Sequence, residues 1–283
     1  MLRKHVLKKL SGGQTLLLLI PAMLLTTRAG YSLPPAALPP GDIYKAAFHD
    51  TLITALPDSS AANTVSLRVG LNKNVKSFVN SYVVREEEFL RKMERRSETY
   101  FPTIEKIFDQ YDLPLQLKYL AIVESKLQRT AHSPAGAKGL WQLMTGTARG
   151  LGLKVSGKTD ERVHLSRGTV AAAKYLRGLY RQFGDWLLVV AAYNCGPGGV
   201  YKAMKKAGSK NYWALQRYLP AESRGHVKRF IGIHFYFEGD GSLVTQTKAE
   251  NKTWREKLLA LQKAAEEEGT DDSVAIFANA AMR

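Results

Sequence analysis

The sequence holds a single cysteine, Cys195, which excludes an intrachain disulfide framework and any structural zinc site built from several thiolates. Its six histidines show neither HExxH spacing nor another metal-ligand cluster, and GxGxxG, GxxxxGK[ST] and EF-hand loops are missing. No metal and no cofactor is expected. Convincing alternating strands and internal repeats are absent as well, and no apolar run reaches the roughly 20 residues that a membrane-spanning helix needs. Acids are scarce: 25 Asp and Glu stand against 41 Lys and Arg, a formal charge of +16, which favours a polyanionic partner such as nucleic acid, an anionic membrane or an acidic cell-wall polymer. With 45% hydrophobic and 23% charged residues over 283 positions, the chain has enough apolar material for one large domain with appendages.

The N-terminus narrows the choice of partner. Arg3, Lys4, Lys8 and Lys9 precede the apolar run Leu16 to Leu25, which Pro21 interrupts and the polar Thr27-Arg28-Ala29-Gly30 follows. A basic start, a short apolar stretch and small residues read as a secretory signal peptide over 1–29, with an uncleaved anchor as the alternative. Cleavage after Ala29 removes five Lys and Arg and no acids, leaving +11, so the mature chain stays basic. Export to the periplasm or cell envelope argues against nucleic acid and for anionic envelope material, with peripheral contact to an anionic surface as a further option.

Residues 30–64 crowd Pro34, Pro35, Pro39 and Pro40 and read as a linker. From residue 65 the pattern turns helical, with Leu71, Val75, Phe78, Val79 and Tyr82 at three- and four-residue steps and Phe89 and Met93 continuing. Further helices are expected over 103–111, 113–130, 166–182, 185–194, 199–206 and 223–237. The reading is an all-α domain over 65–240, followed by a polar, partly helical tail over 241–283.

Chemistry enters on the helix expected from Asp112, a plausible N-cap, with Pro114 in the first turn. Leu117, Leu120, Ala121 and Leu127 make its apolar stripe, and Glu124 falls on the same face. Burial disfavours an ionised carboxylate and favours the protonated form that a general acid needs. The alternative is a Glu near the helix end that simply reaches water. Ser133 to Gln142 form a small-residue loop opening onto Trp141, whose face can stack on a sugar, and Gln142, whose amide can both donate and accept. A helix-to-helix turn with a core Trp is the competing reading. A third element, Trp186 to Val200, is a buried helix expected to end at Asn194 and to break at Gly196, Pro197, Gly198 and Gly199, displaying Tyr193 and Asn194. These two either bond a saccharide or the carboxyl, or Asn194 merely caps the helix. Cys195 reads as a packing residue, since no basic partner adjoins it in sequence.

Ile122-Val-Glu-Ser125, Gly136-Ala-Lys-Gly-Leu-Trp-Gln142 and Ala191-Ala-Tyr-Asn-Cys-Gly196 resemble, in order and spacing, the catalytic ES, GxxGLWQ and AAYNxG motifs of the lysozyme-like lytic transglycosylases, glycoside hydrolase family 23, in its membrane-bound murein transglycosylase D branch. The similarity runs from about Tyr100 to Phe237 and includes Thr159-Asp-Glu-Arg162 and Leu219-Pro-Ala-Glu-Ser223. It implies a mostly helical lysozyme-like domain with a sugar-binding groove. It also implies Glu124 as the catalytic residue and Ser125, Gly139, Trp141, Gln142, Tyr193, Asn194 and His226 as substrate-binding. His226 departs from the Tyr usual at its position, and the cell-wall-binding repeats common in the branch are missing from 241–283.

Ordinary glycosidases use two carboxylates, yet one stands out here. The resemblance implies an intramolecular nucleophile instead. Glu124 protonates the β-1,4 oxygen between MurNAc and GlcNAc, then takes the proton of the MurNAc C6 hydroxyl as it attacks C1, giving a 1,6-anhydro sugar on a peptidoglycan strand. A water-using muramidase and a non-catalytic peptidoglycan-binding module are the alternatives; oligomeric state stays open.

Overall fold

The structure, a computed structural model, describes residues 69–267. The expected signal peptide (1–29) and linker (30–64), the first residues of the expected helical domain (65–68) and the end of the expected tail (268–283) lie outside the described residues. Among the described residues every regular element is helical, as the missing alternation predicts, and extended backbone meets only in isolated antiparallel bridges.

Helix α1 (Lys73–Arg85) is capped by the Asn72 side chain, which accepts from the Asn74 N–H at 2.8 Å. Helix α2 (Glu87–Gln110) is continuous where the sequence suggested separate pieces. Pro102 sits inside it and removes one backbone bond, but Leu90, Met93, Phe101, Ile104 and Phe108 stay buried along one stripe. That packing outweighs a proline cost of about 3 kcal/mol.

The helix expected over 113–130 is largely replaced. Asp112 is no N-cap: it takes a left-handed φ of 51°, and the chain makes a 3₁₀ turn (Leu115–Tyr119) before the short helix α3 (Leu120–Ser125). Leu117, Leu120, Ala121 and Leu127 are nevertheless all fully buried, because the 3₁₀ turn and α3 present the same stripe.

After α4 (Thr145–Gly150) and a 3₁₀ turn (Glu161–Val163) come α5 (Leu165–Phe183) and α6 (Trp186–Ala207). Helix α6 fuses the two segments expected over 185–194 and 199–206, with Gly196 at φ 76°, ψ 156° as the kink between them. Such a backbone angle is open to glycine and costly to other residues. Leu187 to Ala192 are completely enclosed, and α5, α7 (Tyr212–Leu215) and α8 (Ala221–Glu238) pack around α6, with α1 against α8 and α2 against α5.

The C-terminal stretch adds a 3₁₀ turn (Leu243–Thr245) and α9 (Lys248–Glu267). Its start is tied to the body of the domain. Asp185, which caps α6, accepts from the Lys248 N–H at 2.6 Å, and Glu250 accepts from Asn72, from Trp213 Nε1 at 3.0 Å and from the Thr247 N–H at 2.7 Å. No helix among the described residues is long and apolar enough to cross a membrane.

Candidate active site

Glu124 lies on the last turn of α3, and packing of α3 against α8 faces it with His226. Its side chain is 7% exposed and that of His226 3%, and His226 Nε2 stands 2.9 Å from Glu124 Oε1. The other ring nitrogen, Nδ1, is buried without a partner. The stripe argument thus places Glu124 correctly, on a buried face. The next two residues, Lys126 and Leu127, both take left-handed φ, 54° and 57°, which ends α3 abruptly beside the carboxyl. Two consecutive non-glycine residues there cost about 1–2 kcal/mol each. Ser125 stabilises the turn: its hydroxyl donates to the Ala121 carbonyl at 3.0 Å and accepts from the Gln128 N–H at 3.2 Å.

Tyr193 and Asn194 occupy the last turn of α6 before the Gly196 kink. The Tyr193 hydroxyl donates to the Trp141 carbonyl at 2.8 Å, and its ring lies 5.4 Å from that of Tyr175. Burial, then the nearby Glu124 charge and Tyr175, push the Tyr193 phenol well above its usual value, so it remains an O–H donor. Asn194 Oδ1 accepts from the Ser223 hydroxyl at 2.7 Å, which joins α6 to α8 one turn before His226.

The loop Ser133 to Leu143 is held from behind by Arg162, 6% exposed. Its guanidinium donates to the carbonyls of Gly136 (2.8 Å) and Leu143 (2.9 Å) and makes a two-pronged contact with Asp160 (2.9 and 2.8 Å), which Lys138 also approaches at 3.2 Å. The Arg162 hydrogen bond, with help from Lys138, holds the Asp160 carboxyl well below the usual carboxylate range. Gly139 has φ 88°, and a Cβ there would sit 2.0 Å from the Arg162 carbonyl oxygen. The glycine is therefore required by close backbone approach inside the protein.

Several site expectations change on this geometry. Trp141 is 1% exposed, packed 5.4 Å from the Phe108 ring with Nε1 donating to Thr169 at 3.0 Å, so its faces are closed to a sugar. Gln142, at φ 46°, uses its NH₂ on the carbonyls of Ala131 (3.1 Å) and Gly139 (2.8 Å). His226 meets Glu124 itself and is nearly closed to solvent, instead of lining an open groove. Glu124, His226, Tyr193 and Asn194 are thus brought to one place, while Ser125, Gly139, Trp141 and Gln142 form the framework around it. Sequence reasoning missed Arg162, Thr169 and Tyr175 as supports; an Arg beside the acids Asp160 and Glu161 is the one local signal, and it does not show which loop the Arg grips. Glu161 is likewise engaged, accepting from the Lys154 N–H at 2.8 Å and pairing with Arg167. Among the described residues no group of three or more His, Cys, Asp or Glu could hold a metal ion.

Residues 103–216 match the family model of the Transglycosylase SLT domain. Over 174 residues the chain is 34% identical to "Membrane-bound lytic murein transglycosylase D" of Escherichia coli K12, covering 59% of this chain and 38% of that protein. It is also 34% identical over 135 residues to the "Soluble lytic murein transglycosylase" of the same organism, covering 43% of this chain and 20% of that one. The chain therefore spans less than half the length of these relatives. Among solved structures, the 70 kDa soluble lytic transglycosylase of Escherichia coli superposes with a TM-score of 0.48 at 22% identity, over 61% of this chain and 32% of that one. The matched segment 103–216 carries Glu124, Trp141, Gln142, Tyr193 and Asn194, and the chain is similar to the Transglycosylase SLT domain family and to the soluble and membrane-bound D lytic murein transglycosylases.

Proposed function

We propose that the chain is a peptidoglycan lytic transglycosylase of the cell envelope, in which Glu124 is the one catalytic acid and base. The carrying observation is a nearly enclosed carboxyl at the end of α3, with Tyr193 and Asn194 close by on α6 and an SLT-domain sequence around it. Glu124 protonates the β-1,4 oxygen between MurNAc and GlcNAc as the C1–O bond breaks. It then accepts the proton of the MurNAc C6 hydroxyl as that oxygen bonds C1, closing a 1,6-anhydro ring. Effective molarities of about 10⁵ M or more make an internal hydroxyl a competitive nucleophile without a second carboxylate. Asp160 and Glu161 fit this reading, since both are already engaged by cations and backbone N–H groups. Glycan strands of peptidoglycan are the partner, and the basic surface suits the carboxylates of their stem peptides. Export through residues 1–29 belongs to the same proposal.

The test is mass spectrometry of muropeptides released from purified sacculi. Products ending in 1,6-anhydro-MurNAc, lighter by one water than hydrolytic products, support the reading. Reducing MurNAc ends would make the protein a muramidase, and binding without release a non-catalytic module.

A further inference from the structure

We infer that His226 holds Glu124 through an N–H donated from Nε2 to Oε1, which leaves Oε2 as the oxygen that gives up and recovers the proton. The first half rests on geometry alone; the second rests on the reaction proposed above.

A neutral imidazole carries one N–H, on either nitrogen. Nε2 is 2.9 Å from Glu124 Oε1, and Nδ1 is buried with no partner, in a ring only 3% exposed. Were the proton on Nδ1, a buried N–H would go unpaired, at a cost of about 1–3 kcal/mol. Nε2 would then have to accept, drawing the acid proton of Glu124 toward the imidazole and away from any substrate. With the proton on Nε2, the N–H is paired and Nδ1 presents only a lone pair. Orphaned acceptors are tolerated more often than orphaned N–H donors.

The Nε2–H tautomer also suits both charge states of Glu124. Oε1 accepts equally as a carboxylate oxygen or as the carbonyl oxygen of the protonated acid. The acid proton is thereby confined to Oε2. In the reaction it passes from Oε2 to the departing glycosidic oxygen, and the C6 hydroxyl proton returns to Oε2, so His226 ends with the proton it began with. Nε2 is taken up by Oε1 and Nδ1 is buried, so neither ring nitrogen is left to exchange a proton with substrate, which makes His226 a positioning residue. It lies beyond the 103–216 segment that matches the SLT domain.

Two experiments test this. Nitrogen-15 NMR of histidine-labelled protein should show His226 protonated at Nε2 and bare at Nδ1; the opposite tautomer overturns the inference with no dependence on activity. In kinetics on soluble glycan strands, His226→Ala should lower kcat by about tenfold or more with KM unchanged, since small misplacement of a catalytic group costs up to about 10²-fold. His226→Gln, whose amide can place a donor near the Nε2 position, should stay within about threefold of wild type on that scale. Equal impairment of the two variants, or a change confined to KM, overturns the positioning role. Thermal melting checks that the Ala variant is folded, and the NMR measurement needs no variant. A wild type that releases no anhydro product would overturn the reaction reading, with NMR still deciding the His226 bond.

Discussion

Gly139→Ala tests how the loop behind the site is held. At φ 88° any L-residue is strained, by about 1–2 kcal/mol. The added Cβ would also lie 2.0 Å from the Arg162 carbonyl oxygen and 2.7 Å from its carbonyl carbon, both backbone atoms that cannot rotate away. Relief requires the loop to withdraw from Arg162, loosening the bonds from its guanidinium to Gly136 and Leu143. Overpacking of this kind costs about 1–3 kcal/mol, so the total should be about 2–5 kcal/mol. Gly136→Ala is the internal control. Its φ of 89° is nearly the same, but nothing lies within 4 Å of its Cβ, so only the strain of about 1–2 kcal/mol applies. Urea unfolding of both variants, compared at unchanged m-value, separates the two contributions. Equal destabilisation by the two substitutions would refute the close-approach explanation.

Removing Asp160 should expose the same linkage from the other side. Its carboxyl is held below the ordinary range, so its contribution to stability is complete above the unfolded value near 3.9 and is lost as pH falls through the lower folded value; wild type should therefore lose melting temperature below about pH 4 more steeply than Asp160→Asn. At neutral pH that variant should be less stable by about 3 kcal/mol in urea titration, because Arg162 stays buried without its carboxylate. Tyr193→Phe removes the bond to the Trp141 carbonyl and should cost about 1 kcal/mol by the same titration. Glu222 stands one helical turn before His226 on α8, and Glu222→Gln should keep at least about a tenth of wild-type turnover; a loss matching that of Glu124→Gln would point to a two-carboxylate glycosidase.

The sequence made the buried stripe of α3 and the enclosed helix α6 legible, because long apolar periodicity survives whichever helix type carries it. Leu117, Leu120, Ala121 and Leu127 are buried as the spacing implies, although a 3₁₀ turn replaces the first part of the expected helix. Local signals misled at Asp112, where a good N-cap residue became a left-handed turn, and the run expected over 103–111 is only the end of α2, whose packing carries it through Pro102. For the site, spacing put Glu124 on a buried face and Tyr193 and Asn194 just before the break in α6, as found, but could not tell a displayed Trp from an enclosed one. Trp141 is enclosed because Thr169 and Phe108 come from distant helices. The same holds for Arg162, whose grip on Gly136 and Leu143 exists only once the loop has folded over it.

The most direct test of the central claim is Glu124→Gln assayed on purified sacculi, with binding measured alongside release. The amide preserves the size of the carboxyl and an oxygen for His226, but it can neither give nor take the proton. With one group serving both proton transfers, release of muropeptides should fall by about 10⁴-fold, the upper end for general acid–base catalysis, or more, while binding to sacculi and melting temperature stay near wild type. Release at a rate close to wild type would contradict the assignment of Glu124 as the catalytic acid and base.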